Sequence, residues 1–354
     1  KIKKLSKNFD LKEYDVLVSS GEQISCALIS GYLEKIGYKS RSFMGWQVPI
    51  ITDSNHGNSK ILHISKKNIL NFLKNEGIPV IAGFQGIDFN NRITTLGRGA
   101  SDYTAIMISR YFKAEKCVIY TDVDGVMTTD PKIYKNAIKI NEISYEEMLE
   151  MSSLGSKVMQ SNSVQDARLN RIKVDVRSSF KNRNGTLITK RKNISSNKII
   201  RGISSTKNDA KITLVGVKDK PGIAASIFEP LSNSNINVDM VVQNISANGI
   251  ETDITFTIKL ENLAKTKKLL LNNKKIRYKK ILVDANVSKI SIIGVGMITT
   301  PGVTYRMFKS LSKENINILV ISTSEIKISV LINRKNIKKA VSALHKEFNL
   351  QKKI

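Results

Sequence analysis

Two short stretches carry residue types at spacings suited to chemistry. Gly97-Arg98-Gly99-Ala100-Ser101-Asp102 sets a guanidinium and a hydroxyl in a glycine-rich turn that opens a helix. Backbone N–H groups at such a helix start cradle an anion, and the planar guanidinium fork suits a carboxylate or a phosphate. Downstream, the apolar strand Val118–Thr121 runs into Asp122-Val123-Asp124-Gly125, an acidic turn whose carboxylates suit the water shell of Mg²⁺ beside a polyphosphate. The span Thr94–Pro131 therefore offers one anion site at a helix start and a second loop for a nucleotide. No Walker sequence is present, so a P-loop kinase is not supported.

The elements that must position these groups alternate. Val16–Val18 reads as a strand, followed by a Ser19-Ser20-Gly21-Glu22 turn and an amphipathic run that stops at Gly37. Val80–Ala82 is a short apolar strand after Pro79. Ser101 or Asp102 is the expected cap of a helix whose inner face includes Ala105, Ile108 and Phe112. Ser144 with Glu147 forms a capping-box pattern before a helix carrying Met148, Met151 and Leu154. Such alternation predicts an α/β sandwich with a mainly parallel sheet and ligand loops beyond the strand carboxyl ends.

From about Ile199 the texture changes to a repeat. One copy begins at Lys211 and a second at Lys289, each reading strand, Pro-Gly turn, helix, Asn-Ile-Asn turn, strand. Pro221-Gly222 corresponds to Pro301-Gly302 and Ile236 to Ile316. A repeat this clear implies two copies of one βαββαβ-like unit packed together. The polar segment 190–198 reads as a linker. The expected division is a first domain over 1–189, then repeat domains over 199–285 and 286–354.

Composition narrows the classes. A chain of 354 residues supports two or three cores, and an apolar content of 41% is ordinary for a globular protein. No stretch approaches the about 18–20 uncharged apolar residues of a membrane span, and the basic amino end lacks a secretion signal's apolar run. Cys26 and Cys117, in apolar contexts without metal spacing, read as reduced, buried thiols of a cytoplasmic protein. Scattered His56, His63 and His345 give no basis for a histidine metal site or a Ser-His-Asp triad. The net charge of +27 is spread over the whole chain without interleaved aromatics, so it reads as solvated faces rather than a nucleic-acid interface.

The span Thr94–Pro131 closely resembles the core of aspartate kinases, in the amino-acid kinase family. SSGEQ at Ser19–Gln23, GWQVPI at Gly45–Ile50, AGFQG at Ala82–Gly86, EEMLEMSSLGSKV at Glu146–Val158 and VRSSF at Val176–Phe180 resemble that family in the same order. The repeat resembles a tandem of ACT domains, and a strand near Ile200–Ser204 is expected to join the second of them. The resemblance implies transfer of the ATP γ-phosphoryl group to the β-carboxylate of aspartate, with Mg²⁺ accompanying the nucleotide. It implies that Arg98 grips an aspartate carboxylate and Glu22 meets the ammonium, with Gly99, Ala100, Ser101 and Asp102 completing the pocket. It assigns Ser101, Tyr120, Thr121, Asp122, Asp124, Gly125, Val126, Met127, Thr128, Thr129, Asp130, Pro131 and Lys157 to the nucleotide. End-product amino acids, lysine and threonine first, are expected at Asp219, Gly222, Ile223, Ala224, Asn237, Val238 and Gln243 in one unit. In the other they are expected at Val303, Thr304, Asn317, Ile318, Ser324 and Glu325. The resemblance also implies a homodimer or higher oligomer through the ACT domains.

Aspartate kinases begin with a strand and a Lys-Phe-Gly-Gly-Thr-Ser loop, and nothing like it occurs here. The sequence is therefore expected to be an amino-terminally truncated member that phosphorylates aspartate poorly by itself. A glutamate or acetylglutamate kinase would lack the tandem units and the SSGE and GWQVPI stretches. A noncatalytic regulatory subunit would have no use for GRGASD and TDVDGV.

Overall fold

The computed structural model describes residues 9–97, 99–153, 158–190, 198–245 and 250–351. These form two compact units. The first holds the chain up to Gly125 and returns for Asn141–Ser152 and the strands after residue 158; the second holds Val126–Ile140 and the chain from residue 198 on.

In the first unit the expected strand at Val16–Val18 and turn at Ser19–Glu22 are replaced by one helix, α1 (Leu11–Lys35), which runs through both. Asp10 caps it, accepting the N–H groups of Lys12 and Glu13. A three-residue apolar run fits strand and helix equally. The cap and the helical spacing of buried Asp15, Ser19, Cys26 and Ser30 decide for helix. The stop at Gly37 is as expected. Gly37, at φ 91°, donates to Glu34 O, and Tyr38 donates to Leu33 O, closing a Schellman motif.

One parallel strand pair and two mixed four-stranded sheets carry the strands of this unit. β1 (Ser40–Phe43) pairs in parallel with β4 (Ile78–Ile81). β2 (Ile50–Thr52) lies antiparallel to β3 (Ile61–Ile64) and parallel to β5 (Gln85–Ile87), which turns back onto β6 (Ile93–Thr95). β7 (Cys117–Thr121) runs parallel to β9 (Val174–Ser178). β10 (Thr186–Thr189) bridges β9 and β8 (Glu142–Ser144). The α/β class holds as expected: β1–β4, β2–β5, β7–β9 and β8–β10 pair in parallel, and β2–β3, β5–β6 and β9–β10 pair antiparallel. The connections from β2 to β3 and from β5 to β6 are too short for a crossover, which leaves only hairpin pairing.

Helix α3 (Ala100–Tyr111) follows α2 (Lys67–Lys74) in chain order and packs on two sides. Ala100 and Met107 enter a core with Phe43, Ile50, Ile64 and Leu96, while α5 (Ser161–Asn170) covers another face. Burial is therefore wider than the single stripe expected: Thr104, Ile106 and Ser109 are buried, and Ala105, Ile108 and Phe112 stand at its margin. The capping box before α4 (Tyr145–Ser153) forms as read. Ser144 donates to Glu147 Oε2 through its N–H and its hydroxyl, both at 3.0 Å, and Glu147 N–H returns to Ser144 Oγ at 3.1 Å. Met148 and Met151 are buried behind it; Leu154 lies outside the described residues.

The second unit is one antiparallel sheet of order β12-β13-β11-β14-β16-β15, in which β13 is Glu251–Lys259 and β16 is Lys327–Asn333. Its two long central strands, β11 (Gly202–Lys218) and β14 (Lys280–Ile293), serve both repeats. The first part of β11 pairs with Lys289–Ile293, so the strand expected near Ile200–Ser204 does join the second repeat. α6 (Ile223–Ser232) and α7 (Leu263–Asn272) cover one half of a face, where Ile212, Leu214, Ile227, Leu231 and Phe256 are buried. α8 (Val303–Lys313) and α9 (Ile337–Glu347) cover the other half, over Ile203, Ile292, Met307, Leu311 and Val330. Repeat positions match in detail. Gly222 and Gly302 begin the helices at φ 85° and 83°, Asn235 and Asn315 turn at φ 54° and 53°, and Ile236 and Ile316 are both buried. The opposite face curls. Edge strands β12 (Val238–Ile245) and β15 (Ile318–Ser324) approach each other over a small core of Met240, Val287, Val320 and Leu331. A Lys289–Asp239 ion pair joins β14 to β12 across the curl.

Candidate active site

The residues singled out in α1 are held by a buried polar network that pattern reading missed. Asp15 is fully buried and accepts from the Thr95 hydroxyl at 2.5 Å, from Gly57 N–H at 3.0 Å and from His56 Nδ1 at 2.8 Å. The far nitrogen of His56 faces Asp88 Oδ2 at 3.8 Å. Burial opposes the charge on Asp88. The N–H groups of Arg92 and Asn90, the Ser54 hydroxyl and His56 outweigh it and hold that carboxyl below its usual range.

One helical turn beyond Asp15, Ser19 meets Gln85. Gln85 is fully buried, donates to Ser19 O at 3.2 Å and accepts from Gln23 Nε2 at 3.3 Å. Glu22, between Ser19 and Gln23 in α1, is half-buried. A Cβ on Gly45 would stand 3.2 Å from Gln85 O and from Gly86 Cα, and one on Gly86 only 2.6 Å from Ile50 O. The backbones of Gly45-Trp46 and Gln85-Gly86 therefore pass too closely for a side chain. Gly83 in turn lies against Ser101, its absent Cβ 3.4 Å from Ser101 Cα. Four stretches far apart in sequence, SSGEQ, GWQVPI, AGFQG and GRGASD, thus form one cluster.

At the start of α3 the cap is Gly99, at φ 72°, and not the expected Ser101 or Asp102, which sit inside the first turn. A Cβ on Gly99 would stand 2.6 Å from Gln160 Cγ, and the left-handed φ adds strain for any other residue. Among the described residues no side chain caps this helix start, so the cap takes up none of its leading N–H groups. Ala100 is buried, Ser101 is exposed, and Asp102 is partly buried with its carboxyl pKa raised by desolvation. Arg98 and Lys157 lie outside the described residues.

At the carboxyl end of β7, Thr121 accepts from Ser179 N–H at 2.8 Å and Asp124 pairs with Lys181 at 2.7 Å. Lys181 is a further cation at this loop that no motif marked. Tyr120, Asp122 and Asp124 are exposed, and Gly125 turns the chain at φ 133°. The run expected to hold nucleotide then divides. Tyr120–Gly125 belong to the first unit and Val126–Pro131 to the second. Val126, Thr128 and Thr129 are buried there, Met127 is half-buried, and Asp130 and Pro131 are exposed.

In the second unit both helix starts named for effectors lack a side-chain cap. Ile223 and Val303 are buried in their cores, and Ile223 N–H is taken by Lys220 O at 3.2 Å. Asp219, Gly222, Ala224, Asn237, Gln243, Thr304, Asn317, Ser324 and Glu325 are exposed; Val238 and Ile318 are half-buried. Cys26 and Cys117 are free, buried thiols. Among the described residues no helix is long and apolar enough to cross a membrane.

Comparison with known proteins gives consistent matches. Residues 2–178 match the amino acid kinase family, and residues 212–273 and 290–348 each match an ACT domain. An aspartate kinase of Pseudomonas fluorescens is 46% identical over 341 residues, covering 96% of this chain and 82% of the relative. An aspartokinase of Helicobacter pylori is 45% identical over 98% of this chain and 86% of its own length. Among solved structures, the aspartate kinase of Clostridium acetobutylicum superposes with a TM-score of 0.81 at 25% identity, covering 98% of this chain and 82% of that one. E. coli aspartokinase III in complex with aspartate and ADP gives 0.78 at 27% identity, covering 96% and 76%. The same enzyme with lysine and aspartate gives 0.76 at 28% identity, with the same coverage.

Proposed function

The chain belongs to the aspartate kinases of the amino acid kinase family and carries ACT domains, and from that premise we propose how its residues divide the work. An aspartate kinase moves a phosphoryl group from ATP onto aspartate, here read as transfer to the β-carboxylate. A carboxylate is already ionised at neutral pH, so no base has to create the nucleophile. Alignment, and neutralisation of the charge crowding the phosphoryl group, must carry the rate.

In this reading Arg98 binds an aspartate carboxylate, Glu22 meets the ammonium, and the Gly99–Ser101 backbone with Ser101 and Asp102 closes the pocket. Tyr120, Thr121, the Asp122–Pro131 segment and Lys157 take the nucleotide. The observation that supports this most is the meeting of four distant stretches at Gln85 and Ser101, which brings the Glu22 helix to the helix start that follows Arg98. Among the described residues no cluster of three or more His, Cys, Asp or Glu forms a metal cage. That fits a magnesium ion held mainly by phosphates and water, with Asp122 and Asp124 facing its shell, where it supplies charge neutralisation. Lysine and threonine are the proposed effectors at the two exposed turns, since E. coli aspartokinase III has been solved with lysine. A homodimer or larger assembly through the ACT domains, in the cytoplasm, completes the proposal.

Two-substrate kinetics on the full-length enzyme test the division. Arg98→Ala should raise the aspartate KM by about tenfold or more, as expected for losing one charge-assisted bidentate contact, and leave the ATP KM nearly unchanged. Asp124→Ala should do the reverse. An Arg98→Ala enzyme impaired only toward ATP would overturn the assignment.

A further inference from the structure

The segment Val126–Ile140 leaves the first unit directly after Gly125 and re-enters it at Asn141, yet it folds with the second unit. It is a closed loop. Thr128 N–H bonds Ile138 O at 2.9 Å, Ile140 N–H bonds Val126 O at 2.8 Å, and Met127 bridges Lys139. Its turn is tied by Ile133 and Tyr134 N–H to Asp130 O, at 2.9 and 3.0 Å. Three contacts fix the loop to the second repeat. Ile203 N–H donates to Thr128 O at 2.7 Å, the Thr128 hydroxyl meets His345 Nε2 at 2.9 Å, and the Tyr134 ring lies 4.5 Å from the His345 ring, centre to centre.

His345 is fully buried near the end of α9, beside Leu344 of the repeat core. A leucine there would fill space without the cost of burying an imidazole. Burial pulls its pKa down to about 4, so the ring is neutral under physiological conditions and the Thr128 contact does not titrate there. The same end of α9 is tied to α8. Arg306 donates to the Glu347 carboxylate at 2.9 Å and to Glu347 O at 2.7 Å, and its guanidinium lies over Phe348. Arg306 is in the first turn after Val303-Thr304, the effector turn of this repeat.

We propose that His345 is a positioning residue for the nucleotide: through Thr128 and Tyr134 the last helix of the second ACT domain sets the loop that continues directly from Asp122–Gly125. Thr128 then acts from the protein side rather than as a ligand, because its hydroxyl is buried between His345 and Ile138 N–H. This rests on the assignment of Asp122–Gly125 to nucleotide.

The test uses the full-length enzyme with His345→Phe, which keeps an aromatic ring but removes Nε2, and His345→Gln, which returns an amide near Nε2. The Phe variant should raise the ATP KM by about three- to tenfold, the loss of one buried hydrogen bond, with the aspartate KM within about twofold. The Gln variant should recover most of that loss. Should His345→Phe fail to fold, Tyr134→Leu carries the same expectation. Unchanged ATP KM in these variants, or equal rises for both substrates alongside a lower Tm, overturns the positioning role. An unchanged ATP KM in Asp124→Ala overturns the loop assignment itself, and the two failures are thereby told apart.

Discussion

Replacing Gln85 by leucine tests whether the cluster that joins four sequence stretches positions substrate or only fills space. Gln85 is fully buried and makes two side-chain hydrogen bonds to α1, at 3.2 Å to Ser19 O and 3.3 Å from Gln23 Nε2. Leucine keeps the volume and loses both. The helix ladder still offers Ser19 O a partner, and Gln23 retains Ser19 Oγ at 3.4 Å, so neither group is orphaned. The cost is then about 0.5–1.5 kcal/mol per bond, about 1–3 kcal/mol together. For a folding unit of this size each kcal/mol lowers Tm by about 2–4 °C, which predicts a fall of about 2–12 °C. The kinetic effect should be larger than the stability effect. Glu22 precedes Gln23 on the released face, and a misplacement of about 1 Å at a binding group costs up to about a hundredfold. Steady-state assays of ADP release, with aspartate varied at saturating ATP, should show an aspartate KM raised at least about fivefold and the ATP KM nearly unchanged. A normal aspartate KM with the predicted fall in Tm would refute the reasoning and leave Gln85 a packing residue.

Two further outcomes follow from the same structure. Asp88 has a folded pKa below its unfolded value, so its contribution is present above about pH 4 and is lost as pH falls through the lower folded pKa. Urea midpoints of the wild type should therefore decline from about pH 4 downward, and Asp88→Asn should flatten that decline; identical acid profiles would remove Asp88 from the account. Calorimetry on the full-length enzyme should detect lysine or threonine, with Asp219→Ala weakening the first repeat's site by about tenfold through loss of one charge-assisted contact. No heat from either amino acid, alone or together, would remove the effector proposal.

What was legible in sequence was what is local. The Gly37 stop, the Ser144–Glu147 capping box and the paired Gly222 and Gly302 helix starts follow from backbone rules that act within a few residues, and each stands as read. The strand at Val16–Val18 failed for a related reason: three apolar residues carry no period, and the deciding Asp10 cap lies outside them. The buried polar network was not legible. Asp15 meets His56, Gly57 and Thr95 across separations of 41, 42 and 80 residues, and Gln85 meets Ser19 across 66. No motif announces that a carboxylate on a helix and a histidine in a loop share one buried site. Histidines set aside as scattered include His56 and His345, each with one ring nitrogen bonded to a partner the fold supplies from far along the chain.

The Asp122–Pro131 run shows most clearly how sequence continuity misleads. Read as a string, it is one acidic, threonine-rich loop with one task. In the fold its first part ends a strand of one compact unit, and its second part, with Val126, Thr128 and Thr129 buried, belongs to another. Thr128 and Thr129 resemble ligand hydroxyls in sequence, yet burial removes them from solvent and His345, 217 residues away, takes the Thr128 hydroxyl. A loop under this constraint cannot be optimised for ligand contact alone, because its far half must also satisfy the core it enters. Perturbing the far half should then change nucleotide affinity while the exposed carboxylates of the near half stay in place, and the His345 variants test that separation.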